Sequence, residues 1–334
     1  MFGMEYAPVY AKVRCWKKNI LKASSVEDFS RLDLTQTTEE IRKRMSKVTF
    51  NSETSVRDIE GLLRQETYNY IQSGLHYLSG GGRRFVQEWC RYYEIENVKY
   101  IVRCVFNQKK VDYLYDLSRK SKIRLELVKD IRSLDELQDF LSGTDYYRLA
   151  ADSFPRVKEE GKTFFFEMNL DNYFAQSLKK KVASLPPMER KSVKDIVAYY
   201  LEMNRIMWIY RARYNFGMTA SETMSIVPRV FEFLREKQYE ELMHAESIQG
   251  FIAILKQVGF IDDEKTAEAN LERELHRKVL LKAHRGFTGI PFKLGALLAF
   301  SVYHMVHARN MVTILEGRRL GVSFDDVKQL LVLA

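Results

Sequence analysis

The chain has 334 residues, a formal net charge of +9, 46% hydrophobic residues, 16 glycines and 6 prolines. That length allows two or three domains, and scarce turn formers beside abundant Leu, Glu, Lys, Arg and Tyr point to a mostly helical protein. Cys15, Cys90 and Cys104 have no short spacing and support neither a disulfide framework nor a zinc site, and no apolar run is long enough to span a bilayer.

The opening "MFGMEYAPVYAKVRCWKK" lacks the bounded apolar run of a signal peptide. "SSVEDFSRL" (Ser24–Leu32) reads as a helix start with Ser25 as N-cap, and "TTEEIRKRM" (Thr37–Met45) as a small helix after it. "DIEGLLRQETYNYI" (Asp58–Ile71) is an amphipathic helix with an early acid, Glu60. "LSGGGRRF" (Leu78–Phe85) lacks the Lys-Ser/Thr of a phosphate loop and reads as a connection with Gly at a helix C-terminus.

From there the chain repeats itself. "YYEIENVKYIVRCVFNQ" (Tyr92–Gln108) aligns with "YYLEMNRIMWIYRARYNFG" (Tyr199–Gly217) and "YHMVHARNMVTILEGRRLG" (Tyr303–Gly321). Each carries two polar positions three apart: Glu94 and Asn97, Glu202 and Arg205, His307 and Asn310. Basic residues follow: Arg103, then Arg211 and Arg213, then Arg318. An amphipathic helix precedes each copy, with an early acid at Glu60, Asp171 or Glu272, and a short acidic helix start recurs at "RSLDELQDFL" (Arg132–Leu141) and "KQYEELMHA" (Lys237–Ala245). The period is too long for common helical solenoids. It predicts an all-α protein of three helical units, 1–110, 111–222 and 223–334, side by side in a rough threefold relation. "KTFFFEM" and "KIRLELV" are strand-like in composition but lack hairpin turns.

No stretch supports a catalytic reading. His304 and His307 share a helix face, but the spacing lacks the Glu of a zinc-protease helix, and the repeat equates His307 with Glu94 and Glu202. These residues are expected to be structural, with no catalytic, metal or cofactor-binding residue. "WIYRARYNF" (Trp208–Phe216) interleaves aromatics with Arg as a single-strand surface does, yet its spacing suits a helix core and C-terminus. A basic nucleic-acid-binding protein and a metal-dependent helical enzyme built on the two histidines are the rival readings.

Glu/Asp-x-x-Asn, an apolar stretch and Arg-x-Lys/Arg, three times in a helical chain, resembles the C subunit of the V/A-type ATPases (ATP synthases), equivalent to the d subunit of eukaryotic V-ATPases. "YAPVYAKVRCWKKNIL" resembles that family's opening helix and "HARNMVTILEGRRLGVSFDDV" its closing motif. The resemblance implies a funnel-shaped socket of three pseudo-threefold-related domains. It implies a non-catalytic rotor subunit at the cytoplasmic face, between the central shaft and the membrane ion-carrying ring, that transmits torque for ATP-linked proton or sodium transport. It implies no cofactor, no small-molecule substrate, no nucleic acid and no span of its own. Arg205 and His307 depart from the pattern; if His307 meets an acidic partner or a helix C-terminus, its protonation is expected to tune that contact near neutral pH.

Overall fold

A computed structural model describes residues 6–20, 26–44, 54–117, 121–227 and 233–333. Ser25 lies outside the described residues. All regular elements among the described residues are helical. In chain order they are α1 (Ala7–Trp16), α2 (Leu34–Arg44), α3 (Val56–Gly74), α4 (Gly80–Phe106), α5 (Leu125–Val128), α6 (Leu134–Phe140), α7 (Tyr147–Glu160) and α8 (Phe164–Ala183). After these come α9 (Pro187–Tyr210), α10 (Ala220–Ile226), α11 (Glu236–His244), α12 (Ile248–Gln257), α13 (Glu264–Ala269), α14 (Leu271–Thr288), α15 (Leu294–Arg319) and α16 (Phe324–Leu330). The strand-like "KTFFFEM" opens α8, and "KIRLELV" leads into α5.

Local chemistry sets the helix starts. Ser133 accepts from the Glu136 N–H at 3.2 Å, as its sequence context predicts, and Ser247 accepts from Gly250 at 3.0 Å. The triple glycine departs from its expected place. It does not end a helix: Gly80, Gly81 and Gly82 begin α4, after a 3₁₀ turn at Leu75–Tyr77 has already closed α3.

The repeat appears as three pairs of consecutive helices, a shorter then a longer one. The pairs are α3 and α4 with 19 and 27 residues, α8 and α9 with 20 and 24, and α14 and α15 with 18 and 26.

By internal contact the chain groups into two compact units. One holds Met1–Arg83, Leu185–Ser225 and Arg229–Ala334; the other holds Arg84–Ser184 and a short stretch beginning at Ile226. In the larger unit α15 is apolar on nearly every side and is correspondingly enclosed, packing on α14, α9, α3, α2, α1 and α16. One core cluster joins Phe29, Ile41, Ile59 and Leu63 to Met311, Ile314 and Leu331, so the chain's opening helices are buried against its last long helix. Two glycines permit close backbone crossings between long helices. A Cβ on Gly286 of α14 would stand 2.3 Å from the Gly295 carbonyl oxygen, and one on Gly295 would stand 2.5 Å from that of Ser192. In the smaller unit, α7 and α8 pack together, and Phe154 meets Phe166 edge-on with ring centroids 4.9 Å apart.

Candidate functional site

The repeated polar positions lie on α4, α9 and α15, where Glu94, Asn97, Glu202, Arg205 and Asn310 bind chain segments that follow their helices. Asn97 is buried; its amide donates to the Tyr115 carbonyl at 3.0 Å and accepts from the Tyr115 N–H at 2.8 Å. Asn310 does the same to Val332, donating at 2.8 Å and accepting at 2.9 Å. A side-chain amide presents a donor and an acceptor side by side, which matches the two main-chain groups of one extended residue. Neither Tyr115 nor Val332 belongs to a helix, so their backbone groups need such partners.

The middle copy uses different chemistry at the same place. Glu202 is fully buried, and its carboxylate accepts from the Tyr239 hydroxyl. Arg205 donates to that same hydroxyl at 2.9 Å and lies 3.7 Å from Glu202. Burial first, then the Glu202 charge, raise the Tyr239 phenol well above its ordinary value. Glu94 is a counterpart in the smaller unit: it accepts from the Tyr146 hydroxyl at 2.9 Å and from Ser121 at 2.7 Å. Tyr146 is likewise raised by burial and by Glu94. Two acids at the repeated position thus each hold a tyrosine at the start of a downstream helix. Neither tyrosine is singled out by the sequence pattern.

The basic positions divide into two roles. Arg213 donates to the carbonyls of Met218 at 2.6 Å and Ala245 at 3.4 Å. Arg318 donates to Phe29 at 2.6 Å and Ser30 at 2.7 Å. Both therefore hold a turn between two small helical elements, α11 to α12 in one case and the 3₁₀ turn Glu27–Phe29 to α2 in the other. Arg103 instead meets Glu167 of α8 through Nε at 2.8 Å and through its second guanidinium arm. Beside it Lys99, nearly inaccessible, bridges Asp171 and Glu96. Burial alone would lower the Lys99 ammonium; the two carboxylates overcome it and raise it. Arg211 lies over the Trp208 ring at 5.7 Å.

The three copies also end alike. A left-handed residue follows each long helix: Gln108 (φ 53°), Gly217 (φ 64°) and Gly321 (φ 69°). The next N–H reaches back to close the helix, Lys109 to Cys104 at 2.8 Å and Val322 to Gly317 at 2.9 Å. In the middle copy Met218 reaches one residue further, to Ala212. A π turn at Arg211–Asn215 absorbs the extra residue, so Gly217 stands twelve residues after Arg205 where the other copies have eleven.

His304 and His307 are both buried in α15. The His304 ring nitrogen Nδ1 is 2.8 Å from Thr67 Oγ1, and its Nε2 is 3.8 Å from Glu66. Tyr70 and Phe300 enclose its ring at 5.1 and 5.5 Å. Burial pushes His304 down to about 3. Burial, then His304 and Arg44, hold His307 well below its ordinary value. Burial and the neighbouring Arg44 lower His307, so the titration near neutral pH expected of a residue facing an acid or a helix C-terminus is not found.

Among the described residues no helix is long and apolar enough to cross a membrane. The family described as ATP synthase (C/AC39) subunit matches residues 9–330. The A-type ATP synthase C subunit of Methanocaldococcus jannaschii is 20% identical over 263 residues, covering 75% of this chain and 65% of that protein. The A-type ATP synthase C subunit of Methanothermobacter thermautotrophicus is 23% identical over 205 residues, covering 58% of this chain and 53% of that protein. The matched regions thus span less than two thirds of either relative. Members of the family are non-catalytic subunits of the ATP synthase complex. With three clamped long helices and a match over nearly its whole length, the chain belongs to the ATP synthase (C/AC39) subunit family.

Proposed function

We propose that the chain is the non-catalytic rotor adapter of a V/A-type ATP synthase. It joins the central shaft to the membrane ion-carrying ring at the cytoplasmic face and transmits torque for ATP-linked ion transport. The observation that carries this reading is the family match over residues 9–330. The clamps supply the physical requirement. An adapter under torque must resist shear between its helices, and buried amide clamps, the Lys99 bridge and the glycine crossings of α14, α15 and α9 lock helices and trailing segments together.

The three repeats 1–110, 111–222 and 223–334 are interlaced rather than free-standing in this reading. Each long helix engages the shorter helix of the next repeat: α4 engages α8 through Arg103 and Lys99, and α9 packs on α14. The last long helix, α15, engages the first short helix, α3. That order of engagement supports the reading of three related repeats. Affinity purification of the chain from native membranes tests the function; recovery of shaft and ring subunits is expected, and recovery of neither overturns it.

A further inference from the structure

The three links that join short to long helices gather at one end of the larger unit. Lys293, at the start of α15, pairs with Glu189 of α9 at 3.0 Å, and the Leu294 N–H donates to the same carboxylate at 3.0 Å. The Gly295 N–H donates to Ser192 at 3.1 Å. Helix α1 ties in the remaining link: the Tyr10 ring meets Phe292 at 5.0 Å, and Lys12 lies over the Tyr77 ring at 5.9 Å.

Each link presents a large apolar side chain to solvent: Tyr77 after α3, Met188 at the start of α9, and Ile290 with Phe292 before α15. Phe292 is held at φ 59°, a left-handed conformation costly for an aromatic residue, and it remains 40% exposed. Around these points the charge has one sign. In residues 6–20, 74–83, 185–192 and 284–293 the one acid is Glu189, which is buried against Lys293. Lys12, Arg14, Lys18, Arg190 and Lys191 are exposed in the same segments and have no carboxylate partner among the described residues.

We propose that this end docks on an anionic phospholipid surface, with Tyr77, Met188, Ile290 and Phe292 entering the headgroup region and the cations held at the phosphates. Weak apolar insertion together with a basic patch is the combination that gives stable peripheral binding. Separate apolar points on three links suit a fluid interface, which accepts them in any arrangement, whereas a folded protein needs a matching pocket for each. Tyrosine phenols and long basic side chains are also the groups that settle at a lipid–water boundary. This goes beyond the rotor reading and is measured on the isolated chain, so the two fail independently.

The test is flotation of the full chain with vesicles of phosphatidylcholine alone or with about a third phosphatidylglycerol. Binding at least about tenfold stronger to the anionic vesicles, weakened by salt, is expected. Lys12→Gln and Lys191→Gln should each weaken it about fivefold. Met188→Glu, or Ile290→Ser should the first variant fold poorly, should reduce binding while thermal unfolding of the variant used is unchanged. Equal binding to both vesicles, no flotation, or indifference to the link variants overturns the proposal. So does capture by polyglutamate without capture by vesicles, which would assign this end to an acidic protein.

Discussion

The side chain of Asn97 and the main chain of Tyr115 exchange two hydrogen bonds, at 3.0 and 2.8 Å, across the smaller unit. Asn310 and Val332 repeat that relationship in the larger one. Asn310→Ala would leave a buried N–H and a buried carbonyl unanswered. A loss of about 2–4 kcal/mol is expected, since each orphaned group costs about 1–3 kcal/mol. Urea unfolding of Asn97→Ala and Asn310→Ala checks this; losses below about 0.5 kcal/mol, the range of ordinary surface changes, would contradict it.

The sequence carried the helices and the polar positions but not their partners. Asn97 and Asn310 stand out because they recur at one place in a helical pattern. What they bind is main chain, which any residue offers, so Tyr115 and Val332 leave no signature. Tyr146, just before α7, and Tyr239, within α11, are likewise unmarked, since the repeated polar positions lie only on the long helices. The surroundings of His307 are hidden from the sequence for a different reason. Spacing shows which residues share a face, but enclosure of α15 on nearly all sides depends on elements from both ends of the chain.

Lys99 holds two carboxylates, Glu96 and Asp171, in a site where its own side chain is only 7% exposed. Lys99→Met should therefore destabilise the chain by about 3–5 kcal/mol, because two partly buried acids lose their cation. Adding Glu96→Gln and Asp171→Asn should recover part of that loss. Thermal or urea unfolding of the single and triple variants separates the outcomes; a harmless Lys99→Met would show that the bridge contributes little.

The buried histidines set an acid limit. A base whose folded pKa is depressed gives stability that is whole above its unfolded value and lost as pH falls toward the folded one. For His304 the window runs from 6.5 down to about 3, and His307 shifts in the same direction. Each contributes about 1.4 kcal/mol per pH unit within its window. The facing groups are Glu66 and Thr67 on α3, Arg44 on α2 and Tyr70 beside the ring. Unfolding measured from pH 7 to pH 5 should show a shallower fall for His304→Gln than for the parent, and parallel curves would refute this.

Gly286 allows α14 to approach α15 more closely than any other side chain permits, since a Cβ would sit 2.3 Å from the Gly295 carbonyl oxygen. Gly286→Ala should lower stability by about 1–3 kcal/mol through overpacking, despite alanine's better helix propensity. Gly250→Ala, where the nearest atom is 3.3 Å away on a serine side chain, is the control and should cost less. Equal losses in melting experiments would mean that the crossing relaxes freely.

The central claim is that this chain joins shaft to ring in a rotary ATP synthase. Affinity purification of the tagged chain from native membranes, with its co-purifying subunits identified by mass spectrometry, tests that most directly. Stoichiometric shaft and ring subunits are expected; recovery of the chain with neither would contradict the proposed rotor role.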